Sequence, residues 1–218
     1  MVRRMRNGTI GLVAVTMLLA ACFRAERSPE SFSRALGSDG GDFGYTPESL
    51  QAYVNDVDLV VRGRIVDASN HVKEKVTVED ISYEVSYYHL VVEVTEVIAG
   101  SLGDGEWADG VIHVVMSVGD DTSFGAVDGS LPGDGVESVH FLSLPDFPQD
   151  PQRVKDEPLW VHTGPFGLLM KGDDGSVRWD DHRERTPDLF LVEGESAWDS
   201  SARSYDELLA RIRGAVEE

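Results

Sequence analysis

Positively charged side chains are scarce in this 218-residue sequence. It has 19 Lys and Arg against 39 Asp and Glu, which gives a formal net charge of −20. No Lys or Arg occurs between Val76 and Gln152, a stretch of 77 residues that contains fifteen acids. Because proteins bind phosphate backbones with clustered cations, this composition argues against a nucleic-acid-binding protein.

The N-terminal apolar stretch is too short to cross a membrane. It runs from Ile10 to Ala21, twelve residues, whereas a spanning helix needs about 20. The stretch follows Arg3, Arg4 and Arg6, an order that is typical of an export signal. We therefore predict that residues 1–21 are a signal peptide and not a permanent transmembrane helix.

The end of this stretch, Leu19-Ala20-Ala21-Cys22, resembles the lipobox of bacterial lipoproteins. The resemblance implies cleavage before Cys22 and thioether attachment of a diacylglyceryl group to its sulfur. It also implies an exported protein, anchored on the outer face of the cytoplasmic membrane or in the outer membrane. An ordinary signal peptide that happens to precede a cysteine is the alternative. Since Cys22 is the only cysteine, lipidation would exclude disulfides, thiolate metal sites and cysteine nucleophiles.

The residues after the signal divide into two parts. Residues 22–45 contain Ser, Gly and Pro without a sustained period, and we interpret them as the lipidated cysteine and a flexible tether. Residues 46–218 are predicted to form a single domain with a formal charge of −22. A flexible tether of this length spans about 25 Å, which exceeds the screening length of about 8–10 Å near an anionic membrane.

The acidic residues are densest between Gly103 and Glu137, where they alternate with glycines. Flexible loops rich in carboxylates suit calcium, which takes six to eight oxygen ligands. No EF-hand pattern is present, and a solvated acidic surface is the interpretation that we favour. We therefore predict no cofactor, and keep calcium as the alternative. Its candidate ligands are Asp120, Asp121, Asp128 and Asp134.

Apolar periodicity predicts a mainly β domain, mostly antiparallel, with a helix at each end. Thr46-Pro47-Glu48 is typical of a helix start, and this short helix is predicted to end near Asn55. Ser204-Tyr-Asp-Glu207 is a capping box that begins a C-terminal helix over 204–217. A polar excursion is predicted over 70–80. The predicted strands cover about 58–66, 83–98, 111–118 and 137–144, with a hairpin over 167–180.

Part of this pattern resembles a known module. The segments that carry the likeness are Asp58-Leu-Val-Val-Arg-Gly-Arg-Ile, Val94-Thr-Glu-Val-Ile-Ala-Gly100 and Gly135-Val-Glu-Ser-Val-His-Phe-Leu142. In outline, residues 58–144 are similar to the netrin-like OB module of tissue inhibitors of metalloproteinases. The resemblance implies a five-stranded, partly closed OB-like barrel, a shape that also binds oligomeric ligands. Those inhibitors use disulfides and an N-terminal cysteine amine, which this chain lacks, so their mode of inhibition is not expected.

Four histidines fall in predicted strands or strand-like segments. Neighbouring strands can bring imidazoles within metal-binding distance of one another. Alternation places His89 and His113 on the more polar face of their strands, so we favour histidines that are exposed or lie at a rim. The other two are His140 and His162.

The sequence contains no recognisable catalytic motif. Gly194-Glu-Ser-Ala-Trp198 lacks the second glycine of a nucleophile elbow, and no His-Glu-x-x-His occurs. We therefore expect a non-enzymatic, lipid-anchored envelope protein that binds a basic protein or an envelope polymer, or that supports the cell surface. The alternative is a metal-dependent or carboxylate-based hydrolase of cell-wall sugars, with Asp120, Asp121 or Asp128 in its site.

Overall fold

Five β-strands close into a barrel, and two more extend the sheet beyond it. The computed structural model describes residues 27–36, 47–78, 81–103, 109–118, 127, 129–144, 159–162, 167–179 and 204–217. The strands are β1 (Leu59–Val78), β2 (Ile81–Gly100), β3 (Val111–Val118), β4 (Val136–Ser143), β5 (Leu159–His162), β6 (Leu168–Lys171) and β7 (Val177–Trp179).

The barrel closes because β1 pairs on both of its sides. The strand order is β1-β2-β3-β5-β4-β6-β7, and β4 pairs again with β1, from Leu59↔Leu142 to Ile65↔Val136. The prediction of a mainly β fold is confirmed, and the arrangement is consistent with an OB-like barrel. The sheet is mixed, because β3 and β5 run parallel while the other pairs are antiparallel.

β1 and β2 form one long ribbon. Each has 20 residues, and they pair from Leu59↔Gly100 to Val78↔Ile81. The polar excursion predicted over 70–80 is therefore wrong, because β1 continues through it as far as Val78. Gly63 lies at a register shift, where a Cβ atom would come within 2.6 Å of the Glu93 carbonyl oxygen. A bulge at a residue without a side chain increases the local twist that barrel closure requires.

Alternate positions of the strands fill the barrel interior with apolar side chains. Leu90 and Val92 of β2 and Ile112 and Val114 of β3 are buried there, as the alternation of the sequence predicts. Trp160 of β5 is also buried in this core. At about 25 cal/mol per Å² of buried apolar surface, such side chains supply most of the stabilisation of the barrel.

Helix α1 (Pro29–Leu36) packs into the barrel core. Its first turn is capped by Ser28, whose Oγ accepts a hydrogen bond from the Ser31 backbone N–H at 3.1 Å. Phe32 and Leu36, one turn apart, are fully buried among the barrel side chains. The prediction of a flexible tether is therefore wrong for these residues, because their side chains are part of the domain core.

Helix α1 is also fixed from outside the barrel by the hairpin of β6 and β7. Glu30 Oε1 accepts a hydrogen bond from the Asp173 backbone N–H at 3.1 Å, and it lies 3.4 Å from Arg178 Nη2. Arg178 also contacts Asp174 at 3.3 Å. The β6–β7 hairpin, which the sequence predicts, thus holds a segment more than 140 residues earlier in the chain.

Two further helices cover the outside of the sheet. Helix α2 (Leu50–Asp56) is capped by Ser49, whose Oγ accepts from the Ala52 N–H at 3.1 Å, so it starts later than the predicted Thr46 cap. Helix α3 (Tyr205–Glu217) confirms the predicted C-terminal helix. A second apolar core lies between these helices and the sheet, and it includes Tyr53, Val60, Val139, Phe141, Leu169, Leu208 and Ile212. In the part of the chain that is described, no helix is long and apolar enough to span a membrane.

Candidate functional site

The outside of β2, β3 and β5 carries a compact block of partly exposed residues, which we call the outer patch. The strand registers arrange it as two rows of three, one residue from each strand in each row. Its residues alternate with core residues such as Leu90 and Trp160, which is why they face outward. The rows are Val91–His113–Leu159 and His89–Val115–Val161.

The two histidines of the outer patch are stacked on each other. His89 and His113 occupy diagonal positions of the β2–β3 ladder, and their ring centroids are 4.8 Å apart with an interplanar angle of 22°. Both lie on the face away from the barrel core, as predicted, although they are partly buried. Nδ1 of His113 is buried and has no hydrogen-bond partner within the described residues. The patch therefore combines apolar surface with a polar atom that a ligand could engage.

Two exposed carboxylates lie at the border of the outer patch, and the one on Glu93 is opposite the exposed Arg64 of β1. Glu93 is exposed and lies two residues beyond Val91 on β2, so it shares the outer face and opposes Val111 of β3. Asp109, also exposed, precedes β3 by two residues. An apolar centre with carboxylates at its edge favours a ligand that presents apolar groups next to cations.

Two other histidines form a hydrogen-bonded chain inside the barrel. Ser138 Oγ lies 2.8 Å from His140 Nε2, and His140 Nδ1 lies 3.0 Å from His162 Nε2. The rings are nearly parallel, at 10°, with centroids 5.3 Å apart. At these distances the two rings meet edge to edge through their nitrogens, so one donates a hydrogen bond to the other.

The position of His140 contradicts the prediction of an exposed or rim histidine. His140 and Ser138 are both completely buried, and they share the inward face of β4 with Leu142. Burial lowers the pKa of His140 well below its ordinary value, and the neighbouring His162 lowers it further. Burial also lowers the pKa of the partly buried His162, to about 3. Both imidazoles are therefore neutral at physiological pH, which a single hydrogen-bonded chain accommodates.

The close approach of β6 to β5 depends on a glycine. A Cβ atom on Gly167 would lie 2.5 Å from the His162 Cβ, which is far inside van der Waals contact. The Gly167 carbonyl also accepts a hydrogen bond from the Phe141 N–H at 2.8 Å. Gly167 therefore positions His162 against the end of β4.

Charged side chains join helix α3 to the barrel on another part of the surface. Arg213 Nε donates to Glu96 Oε1 at 2.8 Å, and Arg62 Nε donates to Glu137 Oε1 at 2.9 Å. Arg62 Nη1 also lies 3.9 Å from Glu96 Oε2, and Lys171 Nζ lies 3.9 Å from Glu137 Oε2. The hydrogen bond from Arg213 lowers the pKa of Glu96. Since every charge in this group has a partner, we assign it a structural role.

Only one of the four candidate calcium ligands, Asp134, lies within the described residues. Asp134 is exposed in the turn that precedes β4. Asp120, Asp121 and Asp128 lie outside the described residues, as does Cys22. Within the described ranges no group of three His, Cys, Asp or Glu side chains is placed to hold a metal ion. The calcium alternative therefore stays a prediction.

Comparison with known proteins assigns no family to the chain. No protein-family model matches it, and no curated protein matches it significantly.

Proposed function

We propose that the protein is a lipid-anchored envelope protein whose barrel binds a basic envelope component through the outer patch, without catalysing a reaction. The observation that carries this proposal is the location of the patch. It lies on β2 and β3, the strands whose outer face OB-like barrels use to bind oligomeric ligands. His89, Val91, His113 and Val115 supply the stacked rings and apolar surface on these two strands.

Charge supports a basic partner. The predicted domain, residues 46–218, carries a formal charge of −22, and Glu93 and Asp109 are exposed at the edge of the patch. A cationic protein segment or polymer would be attracted over a distance of about 8–10 Å at physiological ionic strength. An anionic polymer such as a nucleic acid would be repelled by the same field.

The lipid anchor is supported by the sequence order of basic residues, apolar stretch and Leu19-Ala20-Ala21-Cys22. Two acyl chains, at about 0.8 kcal/mol per buried methylene, would hold the protein stably on a membrane. Metabolic labelling with a palmitate analogue tests this part directly. We expect the label on the native chain and its loss in Cys22→Ala, which would also release the protein from membranes.

Site-specific photo-crosslinking tests the binding part. A photoreactive amino acid replaces Val91 in the outer patch, and as a control it replaces Ala210, which is exposed on helix α3. We expect a discrete adduct with a basic component only from position 91, with a yield that falls as salt is raised. Equal adducts from both positions, or a yield at position 91 that salt does not change, would contradict binding of a basic partner at the patch.

A further inference from the structure

The structure shortens the connection between the predicted lipid and the folded domain. Ser28 caps helix α1, and Phe32 and Leu36 of that helix are buried in the barrel core. Only residues 23–27 separate Cys22 from Ser28. Six Cα–Cα steps span at most about 22 Å even when fully extended. Ser28, the capping residue of helix α1, is therefore within about 22 Å of Cys22.

Helix α1, through which Cys22 is connected to the domain, lies at a defined end of the barrel. Glu30 of helix α1 binds the turn of the β6–β7 hairpin through the Asp173 N–H. That turn follows Lys171, the last residue of β6. This end of β6 is paired with β4 near the start of β4. The opposite end of the barrel contains the Leu59↔Gly100 and Leu59↔Leu142 pairs, followed by the exposed Ser101. About six residues of β4 separate these two ends of the barrel, which corresponds to a distance of roughly 20 Å.

The charge around helix α1 differs from that of the whole domain. Four cations and three acids lie on this helix, directly before it, or on the hairpin that binds it, so their formal charges nearly cancel, at +1. This surface can approach an anionic bilayer without the net repulsion that the domain charge of −22 would otherwise cause. The seven residues are Arg27, Arg34, Lys171, Arg178, Glu30, Asp173 and Asp174.

We propose that the barrel end bearing helix α1 and the β6–β7 turn docks against the phospholipid surface to which Cys22 is attached. This inference rests on the proposed lipidation, and it adds an orientation to it. The short connection limits the distance between the domain and the membrane surface. The nearly balanced charge lets this end of the barrel, rather than the acidic remainder of the domain, face the lipid headgroups. Ser101 and the barrel end around Leu142 then point away from the membrane.

Fluorescence quenching by lipid headgroups measures this orientation. Once Cys22 is a thioether, the mature chain has no other thiol, so an introduced cysteine is labelled uniquely. The full-length lipidated protein is prepared as Asp173→Cys and, as the matched control, Ser101→Cys, and each is reconstituted into anionic phospholipid vesicles with a paramagnetic headgroup lipid. We expect loss of most of the fluorescence at residue 173 and little loss at residue 101. Equal quenching at the two positions would overturn the orientation.

A longer connection provides the second control. A flexible Gly/Ser insertion of about 20 residues between Glu26 and Arg27 adds a root-mean-square span of about 25 Å. We expect this insertion to reduce the difference between residues 173 and 101 while leaving the thermal unfolding of the domain unchanged. An undiminished difference would show that the short connection does not set the orientation. Absence of palmitate label from the native chain would instead overturn the lipidation, and that result is separate from any quenching outcome.

Discussion

His140 and His162 are joined by a hydrogen bond between Nδ1 and Nε2, 3.0 Å apart, inside a barrel that is otherwise packed with apolar side chains. Both rings are neutral at physiological pH, since burial lowers the pKa of both. Ser138 completes the chain at the inner end. A polar chain of this kind stabilises a core only while each member keeps its partner and its protonation state.

Acid should destabilise the protein through this pair. In the unfolded chain a histidine titrates near 6.5, whereas the folded pKa of His162 is about 3, so the unfolded state binds more protons between these values. The contribution of the neutral, buried His162 to the unfolding free energy is complete above pH 6.5 and is lost progressively toward pH 3. For His162 alone the loss is about 2 kcal/mol at pH 5, and His140 acts in the same direction. Urea unfolding at pH 7.5 and pH 5 measures the difference.

The matched control for this prediction is His162→Gln, which removes the titrating ring but keeps a side chain that can hydrogen-bond. The difference in unfolding free energy between pH 7.5 and pH 5 should be smaller in this variant than in the native protein. Because the carboxylates are unchanged, the comparison isolates the histidine. An equal pH dependence in the two proteins would contradict burial of the neutral ring.

Helix α1 should contribute to the stability of the whole domain. Phe32→Ala removes a fully buried ring from the barrel core and should lower the unfolding free energy by about 3–5 kcal/mol. Arg34→Ala, on the exposed side of the same helix, should change it by less than about 0.5 kcal/mol. Denaturant titration of both variants provides the measurement. Similar small effects would mean that residues 29–36 behave as a tether after all.

Gly167 should tolerate no side chain. Gly167→Ala would place a methyl group 2.5 Å from the His162 Cβ, and we expect a loss of about 1–3 kcal/mol. Gly133→Ala is the control, because a Cβ there meets nothing within 4 Å and its exposed backbone needs no positive φ. Thermal unfolding should separate the two variants. A Gly167→Ala protein as stable as the Gly133→Ala protein would argue against tight packing between β5 and β6.

The link between helix α3 and the barrel should be weak and dependent on salt. Arg213 and Glu96 are both partly exposed, and such pairs contribute about 0.2–1 kcal/mol. Arg213→Gln should therefore lower the unfolding free energy by about this amount at low salt and by less at 1 M salt. Urea unfolding of Arg213→Gln and of the native protein at the two salt concentrations checks this. A cost that is the same at both concentrations would show that packing, not charge, explains the effect.

Alternation predicted the inward and outward faces of the strands where one face is solvated. Leu90 and Ile112 point into the core and His89 and His113 point outward, as their order in the sequence indicates. The rule failed on β4, because helices α2 and α3 bury its outer face as well. There Val139 and Phe141 pack under the helices, while His140 takes the inner face, so polarity no longer distinguishes inside from outside.

Long-range contacts explain the other errors. Helix α1 has only one turn of apolar residues, Phe32 and Leu36, within a segment rich in Ser and Gly, so local periodicity is too short to predict it. Its partners lie on strands that are distant in sequence. Residues 72–78 extend as a strand because they pair with 81–87, although their polar composition favours a loop. The pairing of His140 with His162 depends in the same way on the β4–β5 register.

The hydrogen bond from Asp173 to Glu30 has a consequence for the order of folding. Helix α1 lies near the start of the chain, yet its partners Asp173 and Arg178 are synthesised some 143 residues later. The helix therefore cannot dock until most of the chain has emerged, and the barrel cannot be completed from its N-terminal half. Completion of the core around Phe32 and Leu36 thus waits for the β6–β7 hairpin, which is made near the end of the chain.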